Sequence, residues 1–227
     1  MSTGARGARG HGWLHKYRGG LGGRHLQGRF HKRDTKKLVA INDEVFGMNS
    51  GKEKMAYLDI EIGGNANDLK RVTIELASVA LPQTCKNFMA LCNEEGANGY
   101  ESSKVFKIEP KMGMCLGDIS ERNDGRQGSC HPSVADGNGS SATFPHESVV
   151  LSHAQKGMVS MLSTGLDKND SRFMITTVND APHLDGKYVA FGRVKEGLDV
   201  LENLVTKTYT KKGRPTVEIK VAACGTL

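Results

Sequence analysis

Residues 160–194 decide the fold: Ser160-Met161-Leu162-Ser163-Thr164-Gly165, then Asn169-Asp170-Ser171-Arg172-Phe173-Met174-Ile175, then Leu184-Asp185-Gly186-Lys187-Tyr188-Val189-Ala190-Phe191-Gly192-Arg193-Val194. These are short apolar runs punctuated by Gly, Asn and Asp. Such punctuation marks short strands joined by tight connections.

The pattern extends outwards in both directions. Leu58, Ile60 and Ile62 alternate with Tyr57, Asp59 and Glu61, which predicts a half-buried strand. Gly63-Gly64-Asn65 supplies a turn, and Val72, Ile74 and Leu76 repeat the alternation, so the two runs read as a hairpin. Pro82 suits the first position of a helix. Cys85, Phe88, Met89 and Cys92 then recur at i, i+3, i+4 and i+7, one face of that helix. A second helix is expected around Leu198–Val205, and Val217, Ile219 and Val221 make a closing strand. Many short strands with two helices suggest a closed antiparallel barrel, which removes exposed edges. Periodicity alone does not separate a barrel from a sandwich.

Several blocks in order resolve that ambiguity: Leu81-Pro-x-Thr-Cys-x-Asn-Phe88, Gly99-Tyr100, Gly157-Met158-Val159-Ser160-Met161, Leu184-Asp185-Gly186-Lys187, Phe191 to Gly197, and Ala223-Cys224-Gly225. From about Ala56 to Leu227 the chain resembles the cyclophilins. The resemblance implies a mainly β fold: a closed eight-stranded antiparallel barrel capped by two helices. It divides the chain into a basic Gly-rich arm (1–40), a linker (41–54) and a cyclophilin-like domain (55–227).

The resemblance also implies an activity, isomerisation of the peptide bond before proline. Amide resonance opposes that rotation by about 18–20 kcal/mol. A catalyst needs an apolar pocket for the proline ring, hydrogen bonds to the flanking backbone, and a donor aimed at the prolyl nitrogen. The family's donor is an arginine, and its position here holds Lys107. Lysine keeps the charge but lacks the planar fork of a guanidinium. The family's orienting glutamine is Cys115, a poor hydrogen-bonding replacement. Its two pocket phenylalanines are Met112 and Met174, and its clamping asparagine is Ser163. The tryptophan of drug-binding members is His183, the pocket histidine is Tyr188, and Leu184 matches. An apolar proline pocket is retained through Met112, Met174 and Leu184. The expected chemistry is weak or lost, which suggests a pseudoenzyme serving as a subunit of a larger complex. An active isomerase with a tethering tail is the alternative.

Charge is unevenly spread. Residues 1–40 hold ten Lys/Arg and one acid, Asp34, for a charge of +9; since the whole chain is +6, the remainder is −3. Arg6, Arg9, Lys16, Arg18, Arg24, Arg29, Lys32 and Arg33 are the candidate anchoring residues, interleaved with Trp13, Tyr17 and Phe30. Such a segment can track phosphates and stack on bases, so RNA in a ribonucleoprotein is one expected partner. An acidic protein surface such as a microtubule is another. A solubilising tail and a mitochondrial targeting segment remain open. In each binding case the arm ties the chain to a large macromolecular assembly.

Other chemistry is not indicated. The five cysteines lack Cys-x-x-Cys spacing, and the eight histidines show no ligand pattern, so neither a metal nor a cofactor is expected. There is no apolar run of membrane-spanning length and no secretory h-region. Unpaired cysteines fit a reducing intracellular compartment, mitochondrial or cytoplasmic and cytoskeletal. Glu109 with Asp118 reads as solvated carboxylates. The loop Ser133–Thr143 is long and polar, either solvated or partner-facing.

Overall fold

A computed structural model describes residues 43–46, 54–135, 142–148, 151–163, 165 and 167–227. The basic arm, most of the linker, Thr164 and the middle of the 133–143 loop lie outside the described residues.

The predicted hairpin is present. Strand β1 (Lys54–Ile62) pairs antiparallel with β2 (Lys70–Leu76), with Leu58 opposite Val72 and Ala56 opposite Ile74. All four side chains are fully buried, as period-two alternation requires when one face meets a core. The remaining strands are β3 (Lys107–Glu109), β4 (Gly113–Leu116), β5 (Phe144–Pro145), β6 (Met158–Ser163), β7 (Lys168–Thr176), β8 (Val189–Glu196), β9 (Thr210–Lys211), β10 (Arg214–Pro215) and β11 (Ile219–Thr226). The main sheet runs β11-β1-β2-β8-β6-β7-β4-β3, and β5 adds to β7. Eight strands thus lie along one curled antiparallel path. Its two ends meet: Lys104 bridges Lys220, Val105 N–H donates to Ile219 O at 2.8 Å, and Ser102 N–H to Val221 O at 2.8 Å. The segment just before β3 thus covers the outer edge of β11.

Two helices cover the ends. Helix α1 (Pro82–Asn93) begins at the proline and buries Cys85, Phe88, Leu91 and Cys92. Its first residues have no local side-chain cap. Instead the Glu147 carboxylate accepts from Gln83 N–H at 3.0 Å and Thr84 N–H at 2.8 Å. An anion there meets both the free donors and the positive end of the helix dipole. Helix α2 (Leu198–Lys207) buries Leu201 and Leu204. None of the described helices is long and apolar enough to cross a membrane.

Inside the barrel, Phe88 packs against Tyr100, Phe173 and Phe191 with ring centroids 5.1–5.2 Å apart. The Tyr100 hydroxyl donates to Ser171 O at 2.7 Å, so its polar end is satisfied while the ring is buried. Sequence periodicity starts regular structure at Tyr57, but the core extends further back. A helical turn, Asp43–Phe46, inserts Phe46 at 0% exposure into the main core. The Arg193 guanidinium covers its ring, 4.3 Å from the centroid.

Candidate active site

Alternation along β7 splits its side chains between two compartments. Phe173 and Ile175 point into the barrel, whereas Met174 belongs to a second, smaller apolar cluster. Register aligns a row across the sheet: Lys107 opposite Cys115, Cys115 opposite Met174, Met174 opposite Ser160. Residues in register share a face of a sheet, so this row floors a cup distinct from the barrel core. Cys115, Met174, Ala181 and Leu184 are its buried residues; Phe106, Met112, Leu162, Val178 and Tyr188 pack around them.

Six of the seven sequence-predicted site residues therefore converge here: Cys115, Met112, Met174, Leu184 and Tyr188 of the pocket set in the cup, with Lys107, the catalytic candidate, in register beside it. The seventh, Ser163, ends β6 next to Leu162 of the cup, and its hydroxyl accepts from Gly165 N–H at 3.2 Å. His183 is exposed. The predicted arm residues lie outside the described residues.

The electrostatics at Lys107 are specific. Its ammonium is 2.8 Å from Glu109 Oε2, two residues along the same strand face. That hydrogen bond holds the lysine pKa above its ordinary value, against the opposing pull of partial burial. Glu109 is correspondingly lowered. Across the strand pair, burial pushes the Cys115 thiol up to about 12, so the sulfur is a protonated thiol at neutral pH. A thiol donates and accepts weakly where a carboxamide would do both well. The site thus holds a lysine already paired with Glu109, in register with a buried thiol.

Two supports were not legible as site features. His153 is fully buried, and its backbone and ring knit the cup's covering turn to the sheet. Its Nδ1 is 2.7 Å from Asp185 Oδ1 and its Nε2 is 2.7 Å from Ser160 Oγ. Asp185 follows Leu184, so the imidazole fixes the turn bearing Leu184 and Tyr188 above the row containing Ser160. Arg172, two residues before Met174, forks onto Asp170 through Nε and Nη2 at 3.0 and 2.7 Å, and its Nη1 donates to Gly125 O at 2.6 Å. This clamps the 118–132 loop against the sheet. At Gly125 (φ +84°) a β-carbon would lie 2.2 Å from the Phe106 ring, so the loop presses directly on a wall of the cup. Period-two counting from Met174 would have placed Arg172 on the cup's side of β7.

Asp118 is fully buried and accepts from Ser120, Asp124 and Gly125 N–H groups at 2.7–3.1 Å. It organises the same loop and is not solvated as the sequence reading expected. A cavity of about 910 Å³ lies elsewhere, between α1 and this loop, lined by Glu94, Arg126, His131 and Asp170 among others.

The fold is a curled antiparallel barrel with a second, smaller apolar cluster beside its core. Residues 57–226 match the family described as cyclophilin type peptidyl-prolyl cis-trans isomerase/CLD, and the chain belongs to that family. It is similar to peptidyl-prolyl cis-trans isomerase B of Saccharomyces cerevisiae, 32% identical over 85% of this chain and 86% of that protein. It is also 34% identical to peptidyl-prolyl cis-trans isomerase cyp11 of Rhizopus delemar, over 75% of this chain and 49% of that one. The human NK-tumor recognition protein is 33% identical over 79% of this chain, which spans 12% of that larger protein. The chain thus covers about half or less of two of these relatives.

Proposed function

We propose that this chain is a cyclophilin that grips proline-containing peptides with weak or absent isomerase turnover, and that it serves as a subunit of a large intracellular assembly. The observation carrying this reading is the Lys107–Glu109 pair beside Cys115. Catalysis requires a donor better matched to the twisted amide than to the planar one. Lys107 has no rigid fork, is already engaged, and has a thiol where an orienting amide would stand. The cup itself keeps apolar side chains, Met112, Met174 and Leu184, of the kind a proline ring packs against. Residues 1–40, with charge +9, supply the anchor, to RNA or to an acidic protein surface. The names of the fungal relatives favour the second reading, a working isomerase with a basic tail.

Exchange NMR on an Ala-Pro tetrapeptide separates the two. The first reading expects binding with little added exchange. A kcat/KM of about 10⁶ M⁻¹s⁻¹ or more, high in the general enzyme range, establishes the second. For the anchor, co-purification of the tagged chain with and without residues 1–40 is the test. Salt-sensitive partners lost with the arm support it, and retention of all partners by residues 41–227 refutes it.

A further inference from the structure

Beside the cup stands a small hairpin, β9–β10, with Lys211 directly opposite Arg214. Its two-residue turn is Lys212-Gly213, both left-handed, at φ +54° and +78°. That is the geometry of a type I′ turn, whose first position favours Asn, Asp or Gly. A lysine there is strained. Like charges directly opposite on a two-stranded ribbon also repel. The hairpin thus carries two locally unfavourable choices, and both place cations at its tip.

Those cations are not neutralised within the described residues. Lys211, Lys212 and Arg214 are exposed, and none of them, nor Lys111, takes part in an ion pair there. The nearby carboxylates are occupied: Glu109 by Lys107, Glu218 by Lys104, Asp124 by Arg126. Nor is the hairpin remote from the candidate site. Ile108 N–H donates to Gly213 O at 2.7 Å, and a β-carbon on Gly213 would lie 3.6 Å from Lys107 Cγ. The basic tip therefore abuts the residue at the donor position, at the end of the row away from β6 and Ser163.

We propose that the Lys211–Arg214 hairpin selects peptides whose proline is flanked by acidic residues. This rests on the reading that the cup holds a proline. A peptide whose proline packs beside Lys107 has a flank within reach of the hairpin that abuts Lys107. Glutamates on the hairpin side relieve the Lys211–Arg214 repulsion and gain cations that have no ion-pair partner among the described residues.

The test uses the full chain and two fluorescent single-proline peptides, one with two Glu on each side of Ala-Pro, the other with Gln at those positions. Fluorescence anisotropy at low salt is expected to give about tenfold tighter binding of the Glu peptide, the effect of two or three exposed ion pairs. At about 0.5 M salt the two affinities converge. Both peptides meet the same arm, so a comparison with K211Q/K212Q/R214Q isolates the hairpin; this variant is expected to erase the preference. Lys212→Gly relaxes the turn and removes one charge, so it reports the same loss, in part, without risk to folding. Equal affinities for Glu and Gln peptides, or a preference that survives the triple variant, overturn the proposal while leaving the proline site standing. If neither peptide binds, the proline-site reading falls as well. Hairpin-dependent binding of oligo(U) without peptide discrimination assigns the hairpin to nucleic acid and also overturns it.

Discussion

Lys107 Nζ and Glu109 Oε2 are 2.8 Å apart on one face of β3, so the cation that family resemblance assigns to the donor position is held by its own strand. The hydrogen bond from Lys107 raises the lysine and lowers the glutamate. Glu109→Gln removes that partner. The Lys107 side chain is then expected to titrate lower, nearer the ordinary lysine value, which side-chain NMR reads directly. A freed ammonium also becomes available to a bound peptide, so residual proline exchange should rise. Lys107→Arg with Cys115→Gln restores a fork and its orienting amide, and should raise exchange by tenfold or more if the cup positions the proline. An unchanged rate in both variants would show that neither the Lys107–Glu109 pair nor Cys115 limits exchange.

The cysteines should react in an order set by burial. Cys115 is buried, with its thiol pushed up to about 12, and burial raises Cys85 further. Cys224 is only partly buried, and its hydrogen bond with Cys92 lowers its thiol. Reactivity follows the thiolate fraction and access. Iodoacetamide at pH 8 followed by peptide mass spectrometry should find Cys224 modified first. Cys85 and Cys115 should be modified only after unfolding. Early labelling of Cys115 would mean that the cup opens to solvent.

Much of this architecture is legible in sequence because it is periodic. Leu58, Ile60, Val72 and Ile74 alternate, and all are buried; Cys85, Phe88 and Cys92 repeat at helical spacing and share the core-facing side of α1. The cup residues Met112, Cys115, Met174, Leu184 and Tyr188 were found through family resemblance, not pattern. What escaped has no period. Phe46 is a lone ring in a four-residue turn, and its burial depends on Arg193 arriving from β8. The His153–Asp185–Ser160 link joins residues 32 and 7 positions apart through polar atoms. The cap on α1 comes from Glu147, more than sixty residues downstream. Contacts like these are fixed by tertiary approach, and a linear reading has no access to them.

His153 predicts a pH dependence of stability. Burial lowers its pKa below the ordinary 6.5, outweighing the hydrogen bond and charge of Asp185, which pull the other way. The folded state therefore favours neutral imidazole, while the unfolded chain takes up a proton near 6.5. The contribution is fully present above the unfolded value and is lost as pH falls through the window down to the folded one. Urea midpoints should rise between about pH 5 and pH 7. His153→Gln should flatten that rise while lowering stability overall. A slope of the opposite sign would mean that the Asp185 charge dominates and the buried ring is protonated.

The last prediction concerns where the folded unit begins. Phe46 is completely buried, and the Arg193 guanidinium lies over its ring while Arg193 Nε holds the buried Glu75 Oε2 at 2.6 Å. Removing the ring opens a cavity and also uncovers an ion pair between β2 and β8. Phe46→Ala should cost about 3–5 kcal/mol, the usual range for a buried phenylalanine. Two truncations separate the arm from the core. A chain of residues 41–227 keeps Phe46 and should unfold at a denaturant concentration close to that of the full chain. A chain starting at Met55 lacks it and should show a loss like that of Phe46→Ala. Denaturant melts of all four proteins make the comparison. If the Met55 chain is as stable as residues 41–227, the helical turn contributes nothing and the core begins at β1, where sequence periodicity alone would start it.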